Sequence, residues 1–133
     1  MVNKVNTQYR PPISRCIGLS YDRLQLLLAV LKAKEHLGVS SCDVFVSVVG
    51  GIQIYESASD LPVVMSLVSA VKKEPLLSTA CFVGEVGLTG ELRPVPQMDI
   101  RLKTAASLGF TQCYTAIPEG SKLSHYVLQL GEE

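Results

Sequence analysis

The residues best placed to do chemistry lie in Glu56-Ser-Ala-Ser-Asp60, a short polar corner between an apolar strand and a helix. Ser57 and Ser59 carry the only hydroxyl groups of that corner, so they are its candidate nucleophiles. A serine attacks a carbonyl only when a neighbouring base activates it. The same two residues are equally well placed to cap the helix that follows. The corner is therefore the first place to look for function.

The segments on either side of the corner predict a strand, a tight turn, a second strand and a helix. Asp43–Val49 is almost wholly β-branched or aromatic, which is typical of a strand covered on both faces. Gly50-Gly51 favours a hairpin turn, and Ile52–Tyr55 alternates apolar and polar residues as a half-buried partner strand would. From Leu61 the apolar period becomes helical, with a proline in the first turn where it is tolerated.

A glycine-punctuated segment, Gly84-Glu-Val-Gly-Leu-Thr-Gly-Glu91, is a second candidate for chemistry. Three glycines at a spacing of three could cradle a phosphate. However, no helix begins directly after them and no Lys-Ser or Lys-Thr follows, so a nucleotide-binding loop is disfavoured. A hairpin with a bulge is the better interpretation.

The remaining pattern predicts a mixed α/β sheet with packed helices, an α/β (α+β) fold. A first helix opens at Ser20 or Tyr21 and runs to about Leu37, with Gly38 as the residue that ends it. Its apolar stripe is formed by Leu24, Leu27, Leu28 and Leu31. The other predicted elements are strands at 13–19, 80–83, 112–117 and 126–130, and helices at about 60–73 and 97–108, the last with Met98, Leu102, Ala105 and Ala106 inward.

Size and composition limit the possible functions of the chain. With 133 residues, 47% of them hydrophobic, the chain can build one core, so 13–133 is predicted to be one domain and 1–12 a linker or leader. Twelve basic and twelve acidic residues cancel, which disfavours a chain devoted on its own to binding phosphate backbones. No apolar run is long enough to span a membrane, so a soluble intracellular chain is expected.

The four cysteines, Cys16, Cys42, Cys81 and Cys113, are scattered singly with no Cys-x-x-Cys pair. A zinc site would need them to converge from distant parts of the chain, which the usual ligand spacings disfavour. Reduced, partly buried thiols are the expectation, with no metal and no cofactor in this domain.

Three blocks of sequence resemble the C-terminal domain of the RadA/Sms family of DNA-repair proteins, which is similar in turn to the peptidase domain of Lon proteases. The blocks are Asp43-Val-Phe-Val-Ser-Val-Val-Gly-Gly51, Glu56-Ser-Ala-Ser-Asp-Leu61 and Gly84-Glu-Val-Gly-Leu-Thr-Gly-Glu-Leu-Arg-Pro-Val-Pro96. Tyr21-Asp-Arg-Leu24 also fits, and the resemblance runs from about Ile17 to Pro118.

This resemblance implies a ribosomal-S5-domain-2-like, Lon-like fold and assembly into a six-membered ring. It also implies a missing N-terminal part with a four-cysteine zinc finger and a RecA-like ATPase, so ATP, magnesium and zinc are expected there. The parent would be a DNA-dependent ATPase, cytoplasmic in a bacterium or organellar in a eukaryote. It would bind DNA and itself, not a membrane.

The Lon resemblance places a serine nucleophile and a lysine base on this sequence, and both are absent. Aligned through the helix after the corner, the serine position falls on Ala58 and the lysine position on Asp99. A methyl group cannot attack a carbonyl, and a carboxylate cannot take the role of the lysine. Shifting the alignment by one residue brings Ser57 or Ser59 to the serine position in the corner. Even then Lys103 lies one helical turn beyond the lysine position.

Three functions follow from these observations. The first is a non-proteolytic Lon-like scaffold that forms a ring and presents DNA contacts for an attached ATPase. The second is a Lon-type serine peptidase, and the third is an oligomerisation module without DNA contact. For the first function the candidate phosphate contacts are Lys72, Lys73, Arg93, Arg101 and Lys103. Each of these cations is as readily explained as a solvated helix end or helix face.

Overall fold

The computed structural model describes residues 2–4, 10–34, 37–116, 121–122 and 127–129. Its α-helices are α1 (Tyr21–Lys32), α2 (Asp60–Lys72) and α3 (Met98–Ser107). Its strands are β1 (Val2–Lys4), β2 (Ser14–Ile17), β3 (Cys42–Ser47), β4 (Ala80–Val83), β5 (Glu85–Val86), β6 (Glu91–Arg93), β7 (Gln112–Thr115), β8 (Ser121–Lys122) and β9 (Val127–Gln129). The fold is thus a mixture of helices and small sheets, as the α+β prediction expected.

These elements divide into two compact units. The first unit is Met1–Glu56 with Ser66–Pro75, and the second is Ser57–Met65 with Leu76–Glu133. Helix α2 begins in the second unit and ends in the first.

The first unit holds the sheet β1-β3-β2, in which β3 pairs antiparallel with β1 and parallel with β2. Residues 2–4 therefore form a strand, within a segment for which the sequence predicts a linker or leader. Helix α1 is capped by Ser20, whose side chain accepts a hydrogen bond from the Arg23 N–H. Its predicted apolar stripe is confirmed, because Leu24, Leu27, Leu28 and Leu31 are all buried.

An ion pair ties the start of this sheet together. The Arg10 guanidinium donates two hydrogen bonds to the Asp43 carboxylate, which also accepts from the Ile13 N–H. The Arg10 hydrogen bonds, then that of Ile13, lower the pKa of Asp43 to about 2. Since this is below the usual value, the interaction contributes to stability above the usual pKa, and the contribution is lost as the pH falls towards 2.

Two predictions for the first unit are wrong. Gly50-Gly51 does not close a hairpin: Val49–Gly51 forms a 3₁₀ turn, and Ile54 makes an isolated parallel bridge to Leu19. Helix α1 ends at Lys32 rather than near Leu37, so Gly38 does not end it and instead precedes the 3₁₀ turn Val39–Ser41.

The second unit holds the sheets β4-β7-β9 and β5-β6-β8. β4 and β7 pair in parallel, with Phe82 and Tyr114 stacked at a ring-centroid distance of 5.1 Å. β5 and β6 form the antiparallel hairpin predicted from the glycine-punctuated segment. Helix α3 buries Ala105, whereas Ala106, predicted to face inward, is exposed. Between the predicted strands 112–117 and 126–130, a segment that the sequence predicts to be a loop, the structure describes only Ser121–Lys122, which forms β8.

Gly18 sets the path of the loop that follows β3. Its φ is +84°, and a Cβ there would meet the Ile52 carbonyl oxygen at 2.6 Å and the Val48 Cβ at 2.7 Å. The Gly18 carbonyl accepts a hydrogen bond from the Ile54 N–H at 2.7 Å. Only glycine fits both the left-handed backbone and this close approach.

Replacing Gly18 with alanine is therefore expected to destabilise the protein more than replacing Gly38. Gly38 also has a positive φ, of +69°, but a Cβ there meets nothing within 4 Å. Gly38→Ala thus isolates the cost of the left-handed backbone, roughly 1–2 kcal/mol, and Gly18→Ala adds a backbone clash. Urea denaturation of both variants measures the difference. Equal losses of stability would contradict the packing around Gly18.

Candidate functional site

The corner, which lies within the second sequence block, is a 3₁₀ turn, Ser57–Ser59, that runs directly into α2. The side chain of Ala58 is buried, while Ser57 and Ser59 are half-buried. Pro62 lies in the first turn of α2, as predicted. The side chain at the position where Lon resemblance places a nucleophile is therefore a methyl group inside the protein.

The backbone of Gly84 holds this corner on both sides. The Gly84 N–H donates to the Ala58 carbonyl at 2.9 Å, and the Gly84 carbonyl accepts from the Leu61 N–H at 3.0 Å. A Cβ on Gly84 would lie 2.7 Å from Cδ1 of Leu92, which is itself 2% exposed. The glycine that opens the third sequence block therefore serves to bring the backbone against the corner.

Asp60 makes a third connection. Its carboxylate is 2% exposed, and Oδ2 accepts a hydrogen bond from the Val86 N–H at 3.0 Å. A buried carboxylate needs such partners, because an unpaired charge away from water is strongly unfavourable. Asp60 thus fixes the start of α2 to β5. Sequence reasoning placed Asp60 in the corner but assigned it no role; an aspartate at a helix start beside a glycine-flanked strand is the signal for it.

The second position of the expected dyad differs in environment from the first. Asp99 lies in the first turn of α3 and is exposed, whereas Ala58 is buried. An acidic residue in the first helical turn is favoured by the helix dipole. That structural role accounts for Asp99 without any catalysis.

The predicted phosphate contacts lie in both units. Lys72 and Lys73, in the first unit, are exposed. Lys72 is the last residue of α2, and Lys73 has a φ of 55°, which is uncommon outside glycine. The Glu74 N–H donates to the Ser69 carbonyl at 3.1 Å, so the helix ends at the left-handed Lys73, before the Pro75 that the sequence predicts to end it.

In the second unit the three candidate cations differ in their hydrogen-bond partners. Arg93 pairs with the Glu91 carboxylate at 2.8 Å, and the Arg101 side chain donates to the Pro96 carbonyl at 3.0 Å. Lys103 is exposed on α3. Hydrogen bonds from Thr89 and from the Glu91 N–H, with a smaller contribution from Arg93, lower the pKa of Glu91 to about 2. The positive charge of Arg93 is therefore largely offset within the protein.

The four cysteines lie on four different strands, β2, β3, β4 and β7. Cys81 and Cys113 are opposite each other on β4 and β7, and all four thiols are free. Burial, with the hydrogen bond of Cys81, raises the pKa of Cys113 to about 12, so its thiol is held in the unreactive protonated form. Among the described residues no three histidine, cysteine, aspartate or glutamate side chains are grouped to bind a metal.

Comparison with known proteins finds relatives that are named DNA repair protein RadA. The chain is 39% identical to the DNA repair protein RadA of Synechocystis over 86% of its own length, and 42% identical to that of Haemophilus influenzae over 80%. It is 44% identical to the DNA repair protein RadA of Escherichia coli over 71%.

This chain is similar to one part of RadA proteins. It spans only about a fifth of their length, with 22%, 23% and 20% of the three relatives covered. No protein-family model matches it. Of the helices that the structure describes, none has the length and apolar character needed to cross a bilayer.

Restoring a hydroxyl at the corner tests the placement of the degenerate dyad. Ala58→Ser is expected to give no peptide hydrolysis, because position 99 provides no lysine base. It is expected to cost about 1–3 kcal/mol of stability, the penalty for a buried hydroxyl without a partner. Casein digestion and urea denaturation measure the two effects, with Ala106→Ser on the exposed face of α3 as the matched control. Casein cleavage by Ala58→Ser would refute the placement.

Proposed function

We propose that this chain is a non-proteolytic Lon-like scaffold domain of a RadA-type, ATP-dependent DNA-repair protein. The proposal includes a ribosomal-S5-domain-2-like fold and assembly into an oligomeric ring, six-fold in the parent. It also includes DNA contacts made jointly by the copies in the ring. The ATPase part, with its ATP, magnesium and zinc, would lie in the remainder of such a protein.

The observation that carries the proposal is the combination of RadA similarity with the state of the corner. Identities of 39–44% extend over most of this chain. At the same time Ala58 occupies the position where the Lon resemblance places the nucleophile, and its carbonyl and the first turn of α2 are held by Gly84 and Asp60. A corner held in this way supports a structural role better than a catalytic one. This argues against the serine-peptidase alternative.

An exposed apolar surface supports self-association. Four apolar side chains, here called the corner patch, are largely exposed: Ile17 (67%), Val49 (87%), Ile52 (61%) and Tyr55 (89%). They lie around Gly18, since the Val48 N–H donates to the Ile17 carbonyl and the Ile54 N–H to the Gly18 carbonyl. Large exposed apolar groups gathered in one place mark interaction surfaces. Helix α2 adds little to the exposed apolar surface, because each of its large apolar side chains is buried or half-buried.

The ring is tested by removing the corner patch. The double variant Val49→Ser/Tyr55→Ser is expected to shift the protein towards monomer, because it removes the two most exposed apolar side chains without touching the core. Analytical ultracentrifugation at tens of micromolar measures this, with Leu108→Ser as the matched exposed control in the second unit. Only monomer in the unsubstituted protein would contradict the ring. If Leu108→Ser alone caused dissociation, the interface would include Leu108 rather than the corner patch.

DNA contact is tested by the dependence of affinity on salt. Removing one phosphate-binding charge should flatten the plot of log affinity against log salt by about 0.9, so removing Lys72 and Lys73 together should flatten it by roughly two units. Lys72→Ala combined with Lys73→Gly removes both charges and leaves the left-handed backbone unstrained.

Arg93→Ala is the contrasting variant, because the Glu91 carboxylate already offsets the Arg93 charge. Its expected effect on the slope is smaller per charge removed. Fluorescence anisotropy with a labelled duplex gives both slopes. DNA binding with an unchanged slope in the lysine variant would exclude these two residues, and no DNA binding at all would favour the pure oligomerisation module.

A further inference from the structure

A cleft in the first unit combines features that none of the functions above uses. Its volume is about 220 Å³, and it lies beside α1 and the start of β2. Tyr21, Gln25 and Lys32 line it from the helix, at spacings of four and seven residues that place them along one face. Ser14 and Arg15 line it from the strand. The Gln25 side chain donates to the Ser14 hydroxyl at 2.5 Å and so connects the two walls.

The floor of the cleft is apolar and its rim is positively charged. Leu28, Val39 and Val44 are buried beneath it. Arg15 and Lys32 are exposed at its edge, and no acidic side chain is among its lining residues. Within the described residues neither cation forms an ion pair. A ligand that carries both carboxylates and apolar groups would match this lining.

The strand beside the cleft has an open edge. β2 pairs with β3 alone among the described strands. The Ile17 carbonyl accepts from Val48 on the β3 side, whereas the next carbonyl, that of Gly18, accepts from Ile54 on the opposite side. Because strand residues alternate in direction, the backbone groups of Ser14 and Cys16 face the same way as Gly18. Ile54 therefore already occupies, just beyond β2, the position that an added strand would take along it.

We propose that the open edge of β2 and the adjoining cleft bind an extended acidic peptide segment of a partner protein. Its backbone would pair with Ser14 and Cys16, its carboxylates would contact Arg15 and Lys32, and an apolar side chain would cover Leu28 and Val44. Strand addition provides the affinity and the cleft provides the selectivity. This binding uses neither the lysines proposed to contact DNA nor residues 56–60 of the corner.

The test uses the whole chain and a fluorescein-labelled synthetic peptide that alternates glutamate and valine. Saturable binding is expected. Arg15→Glu/Lys32→Glu should weaken it about ten- to hundredfold, the effect of removing charge-assisted hydrogen bonds. A lysine–valine peptide should regain affinity for that variant. Lys34→Glu, which reverses a neighbouring exposed charge outside the cleft, should leave binding almost unchanged.

Two further probes test whether the peptide pairs as a strand and whether the cleft binds nucleic acid instead. Two peptides are compared, one N-methylated at its odd residues and the other at its even residues. Only one of the two should lose binding, because only one set of N–H groups faces β2. Equal binding by both methylated peptides, absence of binding by the folded protein, or an equal weakening in Lys34→Glu would overturn the proposal. Displacement of the peptide by oligothymidylate, with the same dependence on Arg15 and Lys32, would also overturn it and assign the cleft to nucleic acid.

Discussion

The backbone of Gly84 is the constraint on which the rest of the corner depends. It accepts from one side of the turn and donates to the other, so residues 58 and 61 are fixed relative to β4 and β5. Any side chain at position 84 would press on buried Leu92. The buried Asp60 carboxylate adds a hydrogen bond to the next strand. At this strand-to-helix junction the hydrogen bonds that fix the backbone do not involve the side chain of residue 58.

Hydrogen bonds that involve no hydroxyl group hold the corner at the position where the Lon resemblance would place a nucleophile. The hydrogen bonds made by Gly84 and Asp60 use backbone groups and a carboxylate, not a serine hydroxyl. The buried Ala58 methyl group fits this arrangement without the cost of an unpaired hydroxyl. The exposed corner patch lies in the other unit and is independent of these bonds.

Local sequence patterns predicted the regular elements well. The leucine stripe of α1, the strand Ala80–Val83 and the hairpin from the glycine-punctuated segment are all present, because each is determined by a periodicity or by short-range pairing. The hairpin at Gly50-Gly51 was wrong because Ile54 pairs with residues 18–19 instead, an interaction between segments distant in sequence. The predicted end of α1 was wrong because Gly38 takes its positive φ before a 3₁₀ turn.

The candidate site could be predicted only in part. The residue types at positions 58 and 99 can be read from the sequence, but the bonds of Gly84 and Asp60 depend on tertiary packing. The same is true of the Glu91 partner that offsets Arg93. The open edge beside Arg15 has no local signal, since it depends on which strands pair.

The most direct test of the central claim, that this corner is structural rather than catalytic, is intact-protein mass spectrometry after treatment with a fluorophosphonate probe. The probe labels a serine only where a base activates its hydroxyl. The account predicts no mass shift in the folded protein under conditions that fully label a serine peptidase. A single added probe mass that maps to Ser57 or Ser59 would contradict it.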